Sequence, residues 1–342
     1  MAQIVLGIAA SHTPLLALDA TQWQHRAAAD YANTALNLSD GRLMNYAELL
    51  AELGPRSADV ISPEILAAKE RHCSDALDRL AAELAAAKPD VVVIVGDDQR
   101  ELFGAGNQPA IAIFHGEQIV MSNKFADRSN PEWLQTLGRG YLMDDRHVLP
   151  AAPELALELI RGLVDAQFDI AACAQVDGSG GSGSGGSGSS TSGFGHAYGF
   201  IVQRLFGGRK IPVLPVLLNT YYAPNVPSAA RCHDLGQALA RVIAASPSQA
   251  RVAVVASGGL SHFVVDEAMD RSVLAALASG EHSTLRSLPR GALNSGSSEI
   301  LNWVTVAGAV QHLPLRWHDY QPLYRTPAGT GVGAGFAAWG PN

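Results

Sequence analysis

Six short segments of the chain are almost continuously apolar and show no regular alternation with polar residues. Successive side chains of a strand point to opposite faces of a sheet. A strand-length segment without alternation therefore predicts a strand that is buried on both faces, as in parallel sheets covered by helices. The predicted strands span residues 4–10, 90–96, 110–114, 168–173, 211–219 and 251–257.

Apolar residues recur at helical spacing between these strands. The longest helical segment has Ser62 as its expected N-cap and Pro63 at its first position, and it ends before Pro89. Two further helices are expected within 152–166 and 228–246. The alternation of strands and helices predicts an α/β fold with a largely parallel central sheet flanked by helices.

Residues 20–60 interrupt this alternation. They are more polar than their neighbours, although residues 45–53 have a helical pattern. We interpret residues 20–60 as a helical insertion or cap that packs on a single domain spanning residues 1–342.

Residues 178–193 contain only glycine, serine and one threonine. A segment without apolar side chains cannot offset the entropy lost on ordering, so we expect it to be flexible. Natural flexible loops usually also contain charged residues, proline or asparagine, and the purity of this segment indicates an engineered loop replacement. Limited proteolysis is expected to cut there first and to leave two associated fragments; a first cut elsewhere would contradict this prediction.

The composition excludes several classes of protein. A chain of 342 residues that is 47% hydrophobic can bury a substantial core. Its net charge of −8 argues against nucleic acid or an anionic membrane as a partner. No apolar segment reaches transmembrane length and no signal peptide is recognisable, so we expect a soluble, cytoplasmic protein. The three cysteines are scattered, which predicts no disulfide framework.

Residues suited to metal binding or catalysis follow several of the predicted strands. Ligands of open α/β sheets bind at the carboxyl ends of the strands, so these residues are expected to share one site. Imidazole groups can serve as ligand, base or acid, and a carboxylate can complete a metal site. The candidates are His12, Asp97, Asp98, Gln99, His196, His262 and Glu299.

Two other kinds of site lack their motifs. Ser257 and Ser261 lie close to His262 in the sequence, but no G-x-S-x-G motif is present, which argues against a serine hydrolase. No G-x-G-x-x-G follows the first strand and no phosphate-binding loop occurs, so nucleotide chemistry is not supported.

Four motifs, taken in order, carry a resemblance to a known family. They are "SHTP" (11–14), "LNTYYAPNVPSAARCHDLG" (218–236), "SGGLSHF" (257–263) and "SEILNW" (298–303). With them, the chain resembles the class III extradiol ring-cleaving dioxygenases, the family of the protocatechuate 4,5-dioxygenase β subunit. It is most similar to the single-chain branch that contains 3-O-methylgallate dioxygenase. Outside the Gly/Ser segment, the similarity extends over nearly the whole chain.

The resemblance implies a catalytic domain that uses non-haem Fe(II) and O₂ to cleave the ring of a catechol- or gallate-type aromatic acid. Members of the family bind Fe(II) through two histidines and a glutamate and leave three coordination positions open. On the matching motifs, His12 and Glu299 correspond to metal ligands. His262 corresponds to the histidine that takes a proton from a substrate hydroxyl, and His196 corresponds to a further active-site histidine. The expected partners are a small aromatic substrate and O₂, and a homodimer is compatible with the family.

The sequence departs from the family at the second metal ligand. Many members have Asn-Asp-His after the second strand, whereas this chain has Asp97-Asp98-Gln99. An amide oxygen is a weaker donor for iron than an imidazole nitrogen. Three alternatives follow: Gln99 binds the metal, Asp98 binds it instead, or the site binds metal weakly or not at all.

Two other functions remain open at the level of sequence. A metal-dependent hydrolase or lyase could use the same scaffold, and Mn(II) would suit an oxygen-rich ligand set with Asp98 or Gln99. A non-enzymatic relative could retain only the fold. Tyr221 and Tyr222, in the loop after the fifth strand, either line a substrate pocket or pack as ordinary loop aromatics.

Overall fold

The computed structural model describes residues 1–104, 106–175 and 193–341 of the chain. The prediction of a flexible, engineered loop at 178–193 therefore lies outside the described residues, apart from Gly193. Among the helices of the described part, none combines the length and the apolar character that crossing a bilayer requires.

The described strands form one sheet of eight strands and two sheets of two. All six predicted strands are present, although the fourth is shorter than predicted, because it lies at an edge of the sheet and pairs with one neighbour only. In chain order the strands are β1 (Gln3–Ala10), β2 (Leu36–Asn37), β3 (Leu43–Met44), β4 (Val91–Asp97), β5 (Ile111–Phe114), β6 (Gln118–Val120), β7 (Val148–Pro150), β8 (Ala171–Cys173), β9 (Val213–Leu218), β10 (Arg251–Ser257), β11 (Leu315–Tyr324) and β12 (Gly331–Trp339).

The helices include the three predicted between strands. Ser62 accepts a hydrogen bond from the backbone of Ile65 at the start of the longest one, as its N-cap role requires. In chain order they are α1 (Pro14–Ala17), α2 (Gln24–Ala32), α3 (Tyr46–Leu53), α4 (Pro63–Ala87), α5 (Glu132–Gly140), α6 (Pro153–Asp165), α7 (His196–Leu205), α8 (Ala229–Ala245), α9 (Glu267–Ser279), α10 (His282–Arg286) and α11 (Ile300–Ala309).

The central sheet has the strand order β11-β12-β1-β10-β4-β9-β5-β8. The pairs β1–β10, β10–β4, β4–β9 and β5–β8 are parallel, and β11–β12, β12–β1 and β5–β9 are antiparallel. The fold is thus α/β with a largely parallel sheet flanked by helices, as predicted. Because β1, β10, β4 and β9 run in the same direction, the segments that follow them emerge at one edge of the sheet.

The sheet separates two hydrophobic cores. Val93 of β4 contributes to the core shared with α6, α8 and α11, and its neighbour Ile94 contributes to the core shared with α4 and α7. Both residues are completely buried. This arrangement explains why the central strands are apolar at consecutive positions.

Residues 20–60 contain α2, α3 and the β2–β3 hairpin, and they build a small core of their own. Leu36 and Leu49 pack there with Val264, from the loop after β10, and with Ala328, from the turn between β11 and β12. The capping box of Asn45 and Glu48 starts α3. The segment therefore lies against the loops at the carboxyl edge of the sheet.

Candidate metal centre and active site

His12 lies two residues beyond the end of β1 and is 2% exposed. Its Nδ1 atom is 2.8 Å from Oγ of Ser257, the last residue of β10. The Ser257 hydroxyl donates its proton to the backbone carbonyl of Ala197 at 2.6 Å, so its oxygen accepts the hydrogen bond from His12. In the neutral imidazole the proton is therefore on Nδ1, and Nε2 presents a lone pair.

Two carboxylates face this lone pair. Glu299 Oε2 is 3.3 Å and Asp97 Oδ1 is 3.9 Å from His12 Nε2. Both His12 Nε2 and Asp97 Oδ1 are buried without a hydrogen-bond partner among the described residues. Electron-rich atoms that converge in a buried place without donors are stabilised by a cation between them. The donor set of imidazole nitrogen and carboxylate oxygen suits Fe(II), Mn(II) or Zn(II).

The surroundings shift the pKa values of the two carboxylates in opposite directions. Burial and then the charge of Glu299 raise the pKa of Asp97 above its usual value. Burial also disfavours the charged form of Glu299, but His262 and His12 outweigh it and hold the pKa of Glu299 well below its usual value. Glu299 is therefore the firmly ionised member of the pair.

Helix α11 and the loop after β10 hold Glu299 in place. Glu299 ends the 3₁₀ turn Ser295–Glu299 that leads into α11, and its Oε2 accepts a hydrogen bond of 2.6 Å from the backbone N–H of Gly259. The Trp303 indole donates to the carbonyl of Gly258 at 2.8 Å. These bonds join the helix that carries Glu299 to the strand that carries Ser257.

His262 lies on the other side of the Glu299 carboxylate. Its Nδ1 donates to the carbonyl of Leu260 at 2.9 Å, and its Nε2 is 3.3 Å from Glu299 Oε1. Burial disfavours the protonated ring, but Glu299 outweighs this effect and raises the pKa of His262. The imidazole fills the space beside Gly296, where an added Cβ would lie 1.8 Å from His262 Cδ2. Glycine is therefore required at position 296 for this placement of the ring.

His196 is the first residue of α7, and it pairs with Glu101. Its Nδ1 is 2.7 Å from Glu101 Oε1, and its ring packs edge-to-face on His12 with 4.6 Å between centroids. Burial opposes the charged forms, yet the mutual attraction of the two groups raises the pKa of His196 to about 9 and lowers that of Glu101 to about 2. Sequence reasoning did not single out Glu101; the available signal was an acid in the loop after β4.

The two alternatives for the second ligand occupy different places. Asp98 accepts backbone hydrogen bonds from Leu102 at 2.8 Å and Phe103 at 3.1 Å, and burial raises its pKa to about 7. The Gln99 side-chain amide is 3.1 Å from Asp97 Oδ2 and 3.4 Å from Glu299 Oε1. A half-turn of the amide would exchange its nitrogen and oxygen, and the Gln99 oxygen would then lie where the nitrogen now lies, beside Asp97 and Glu299. The amide of Gln99 thus lies beside the carboxylates of Asp97 and Glu299, whereas the carboxylate of Asp98 is engaged by its own loop.

A second possible ligand group consists of His12, Asp97 and His196, whose potential donor atoms lie within 4.8 Å of one another. Nδ1 of His196 is already engaged with Glu101, which leaves only Nε2 for a metal. His12 and Asp97 belong to both possible ligand sets, and the third member is either Glu299 or His196. Glu299 lies closer to His12 Nε2 than Asp97 does.

The site opens into a cavity of about 180 Å³. Cavities of roughly 150 Å³ bind benzene, so this volume suits one aromatic ring. Tyr221 lines the cavity, and its hydroxyl is 3.3 Å from Ser295 Oγ. Tyr222 lies outside the lining, and the Arg100 guanidinium lies 4.3 Å from the centre of its ring. The cavity brings together the catalytic candidates His12, Gln99, Glu101, His196, His262 and Glu299.

Comparison with known proteins identifies the family of the chain. Gallate dioxygenase from Pseudomonas putida is 27% identical over 139 residues, which cover 36% of this chain and 38% of that enzyme. The chain thus matches well under half the length of this relative. Residues 62–336 match the family described as the catalytic LigB subunit of aromatic ring-opening dioxygenase. This match covers most of the chain and includes Gln99, His196, His262 and Glu299, and the protein belongs to that family.

Proposed function

We propose that the protein is a non-haem Fe(II)-dependent extradiol dioxygenase that opens the ring of a catechol- or gallate-type aromatic acid with O₂. The observation that carries the proposal is the convergence of His12 Nε2 and Glu299 Oε2, 3.3 Å apart, on one buried point beside a cavity for a single ring. Membership in a family of ring-opening dioxygenases supports it.

His12 and Glu299 would hold the metal, and Gln99 or Asp97 would supply the third donor. Asp98 is a weaker candidate because its oxygens already accept the two backbone hydrogen bonds of its own loop. When bound, Fe(II) supplies positions for the two adjacent substrate oxygens and for O₂, and carries electron density between them.

In this proposal, His262 acts as the base. Because Nδ1 donates to the Leu260 carbonyl, the lone pair of the neutral ring is on Nε2. A proton accepted there from a substrate hydroxyl is shared with Glu299 Oε1 at 3.3 Å, which stabilises the charged ring. Proton transfer to a side chain placed in this way typically contributes about 100- to 10,000-fold to rate.

In this proposal, His196 binds a substrate oxygen or returns a proton. Glu101 occupies its Nδ1, which leaves Nε2 for contacts within the cavity. An added Cβ at Gly195 would lie 2.2 Å from the Glu101 carboxyl carbon, so the backbone before His196 closes against Glu101. Glu101 therefore acts as a positioning residue for His196.

The proposal is tested by O₂ uptake. Protein loaded with Fe(II) without oxygen is mixed with catechol, protocatechuate, gallate and 3-O-methylgallate in turn on an oxygen electrode, and ring-opened product is followed by absorbance. We expect O₂ uptake equal to product formed with at least one aromatic acid. Product without O₂ uptake would instead identify a hydrolase or lyase, and the absence of both from every substrate would contradict an enzymatic role of this kind.

A further inference from the structure

Arg26 brings the 20–60 segment to the wall of the cavity. It lies in the first turn of α2, is half-buried, and lines the same cavity as His12, His262 and Glu299. Its Nε is buried without a hydrogen-bond partner among the described residues. A buried N–H of a charged group without an acceptor costs free energy, and a ligand that supplies an acceptor in the cavity would remove this cost.

The nearest acid on the same helix is already engaged. Asp30, one turn after Arg26, accepts two hydrogen bonds from the Arg325 guanidinium, at 2.7 and 3.0 Å. The Thr330 hydroxyl adds a third at 2.7 Å. The side chains of Asp30 and Arg325 are each only 4% exposed, so this pair is a fixed part of the structure. Its geometry commits the Asp30 carboxylate to Arg325.

Within the described part of the chain, the charge of Arg26 is thereby left without a dedicated counter-ion. Burial and then repulsion from Arg325 lower the pKa of Arg26, and these effects exceed the attraction of Asp30. A guanidinium nevertheless remains protonated in proteins. Lys124 also lines the cavity, but unlike Arg26 it is exposed to solvent and lies near an acid, because its charge helps to hold the pKa of Glu101 low.

The remaining surface of the cavity suits a flat apolar body. Phe125, Leu137, Met143, Phe263 and Val332 line it between the charged groups. A ligand that matches all parts of the lining has a ring, a pair of adjacent hydroxyls for the metal centre, and a carboxylate for a guanidinium.

We infer that Arg26 binds the carboxylate of the aromatic acid and so determines the specificity of the enzyme for acids over neutral catechols. This inference rests on the proposed function for the identity of the hydroxyl-bearing ring. The bond is a charge-assisted one between a planar guanidinium and a carboxylate, in a partly buried place where water competes weakly.

The test measures binding without turnover. Fe(II)-loaded protein is titrated anaerobically, in a calorimeter, with 3,4-dihydroxybenzoate and with its neutral analogue 3,4-dihydroxybenzamide. We expect Arg26→Gln to weaken binding of the acid by roughly 10- to 100-fold and to change binding of the amide by no more than about threefold. Arg26→Lys should fall between, because lysine retains the charge but loses the two-pronged geometry.

Arg42→Gln is the matched control. Arg42 also lies in the 20–60 segment, but it is exposed, pairs with Asp40 and Glu52, and lies outside the cavity lining. The substitution makes the same change in net charge, and the ratio of acid to amide affinity should equal that of the wild type.

Two results would overturn the assignment: a wild type with no preference for the acid over the amide, or Arg26 variants that keep the wild-type preference. If Arg26→Gln does not fold, as judged by circular dichroism, the wild-type preference and Arg26→Lys decide the question. The oxygen electrode separates this inference from the proposed function. Acid binding that depends on Arg26, with no O₂ uptake, would contradict the dioxygenase and leave Arg26 as an acid-binding residue.

Discussion

The two charged regions of the cavity are built in different ways. The proposed metal side combines Glu299, at the start of α11, with residues at the ends of central strands: Asp97 ends β4, Ser257 ends β10, and His12 follows β1 by two residues. The cationic side comes from α2, whose segment has a small core of its own and is tied to the sheet through the Asp30–Arg325 pair. On the two proposals, the chemistry depends on residues held by the central sheet, and the choice of substrate depends on the 20–60 segment. Variants of the two regions should therefore have separable effects.

The largest effect is expected from Glu299→Gln. The substitution removes the charge that faces both His12 and His262. Loss of a group that merely supports a ligand weakens metal binding by about 10- to 100-fold, so loss of the carboxylate itself should cost at least about 100-fold in Fe(II) affinity and abolish O₂ uptake. Anaerobic Fe(II) titration checks this result, and Arg26→Gln should bind Fe(II) as the wild type does. Equal losses in both variants would contradict the separation of the two regions.

His262→Gln should lose turnover and keep the metal. Without a base to accept the substrate proton, kcat should fall by roughly 100- to 10,000-fold. Fe(II) affinity should change little, because His262 contacts the Glu299 oxygen that does not face His12. Steady-state kinetics and metal analysis of the same preparation give both numbers. A variant with wild-type kcat would exclude His262 as the base.

Gly296→Ala tests the placement of His262 without changing the imidazole. The added methyl group would overlap the ring, so the ring must move by more than an ångström. Misplacement of a catalytic group by about 1 Å can cost about 100-fold in rate, and we expect a loss of that order in kcat. Gly54→Ala is a control at a glycine whose added Cβ meets nothing within 4 Å. Its positive φ should cost some stability, which thermal unfolding measures, but kcat should stay at the wild-type value. Wild-type kcat in Gly296→Ala would show that the ring position does not matter.

Ser257→Ala should have the smallest effect of the four. It removes the acceptor that holds the proton of His12 on Nδ1. The loss of such a supporting group is expected to weaken Fe(II) binding by about 10- to 100-fold. Ser57→Ala is the matched control, because Ser57 is also buried and donates to backbone carbonyls, at 2.9 Å. If both serine variants bind Fe(II) as the wild type does, Ser257 does not orient His12.

The sequence predicts the central strands well because their burial on both faces appears as continuous apolar residues. It did not predict β11 and β12. Strand β11 carries charged and polar residues at the edge of the sheet, and β12 consists mainly of glycine and alanine, which are not typical of strands. The position of β12 beside β1 depends on pairing between segments more than 300 residues apart, which has no local signal, and β11 joins the sheet only through β12.

The same limit applies to the site. His12, His262 and Glu299 could be singled out because each lies in a recognisable motif near the end of a strand or the start of a helix. Glu101 and Arg26 could not be singled out from the sequence. Glu101 matters through its pairing with the distant His196, and Arg26 matters because its Nε lacks a hydrogen-bond partner among the described residues. Glu101 is 95 positions before His196 in the sequence, and the neutralisation of Asp30 by Arg325 joins residues 295 positions apart.

On the proposed function, His12 and Glu299 hold one metal ion between them. The most direct test is a calorimetric titration, without oxygen, of the purified wild type and of His12→Ala with Fe(II). We expect one Fe(II) per chain for the wild type and no binding at this site for His12→Ala. Equal stoichiometry and affinity in the two proteins would contradict it.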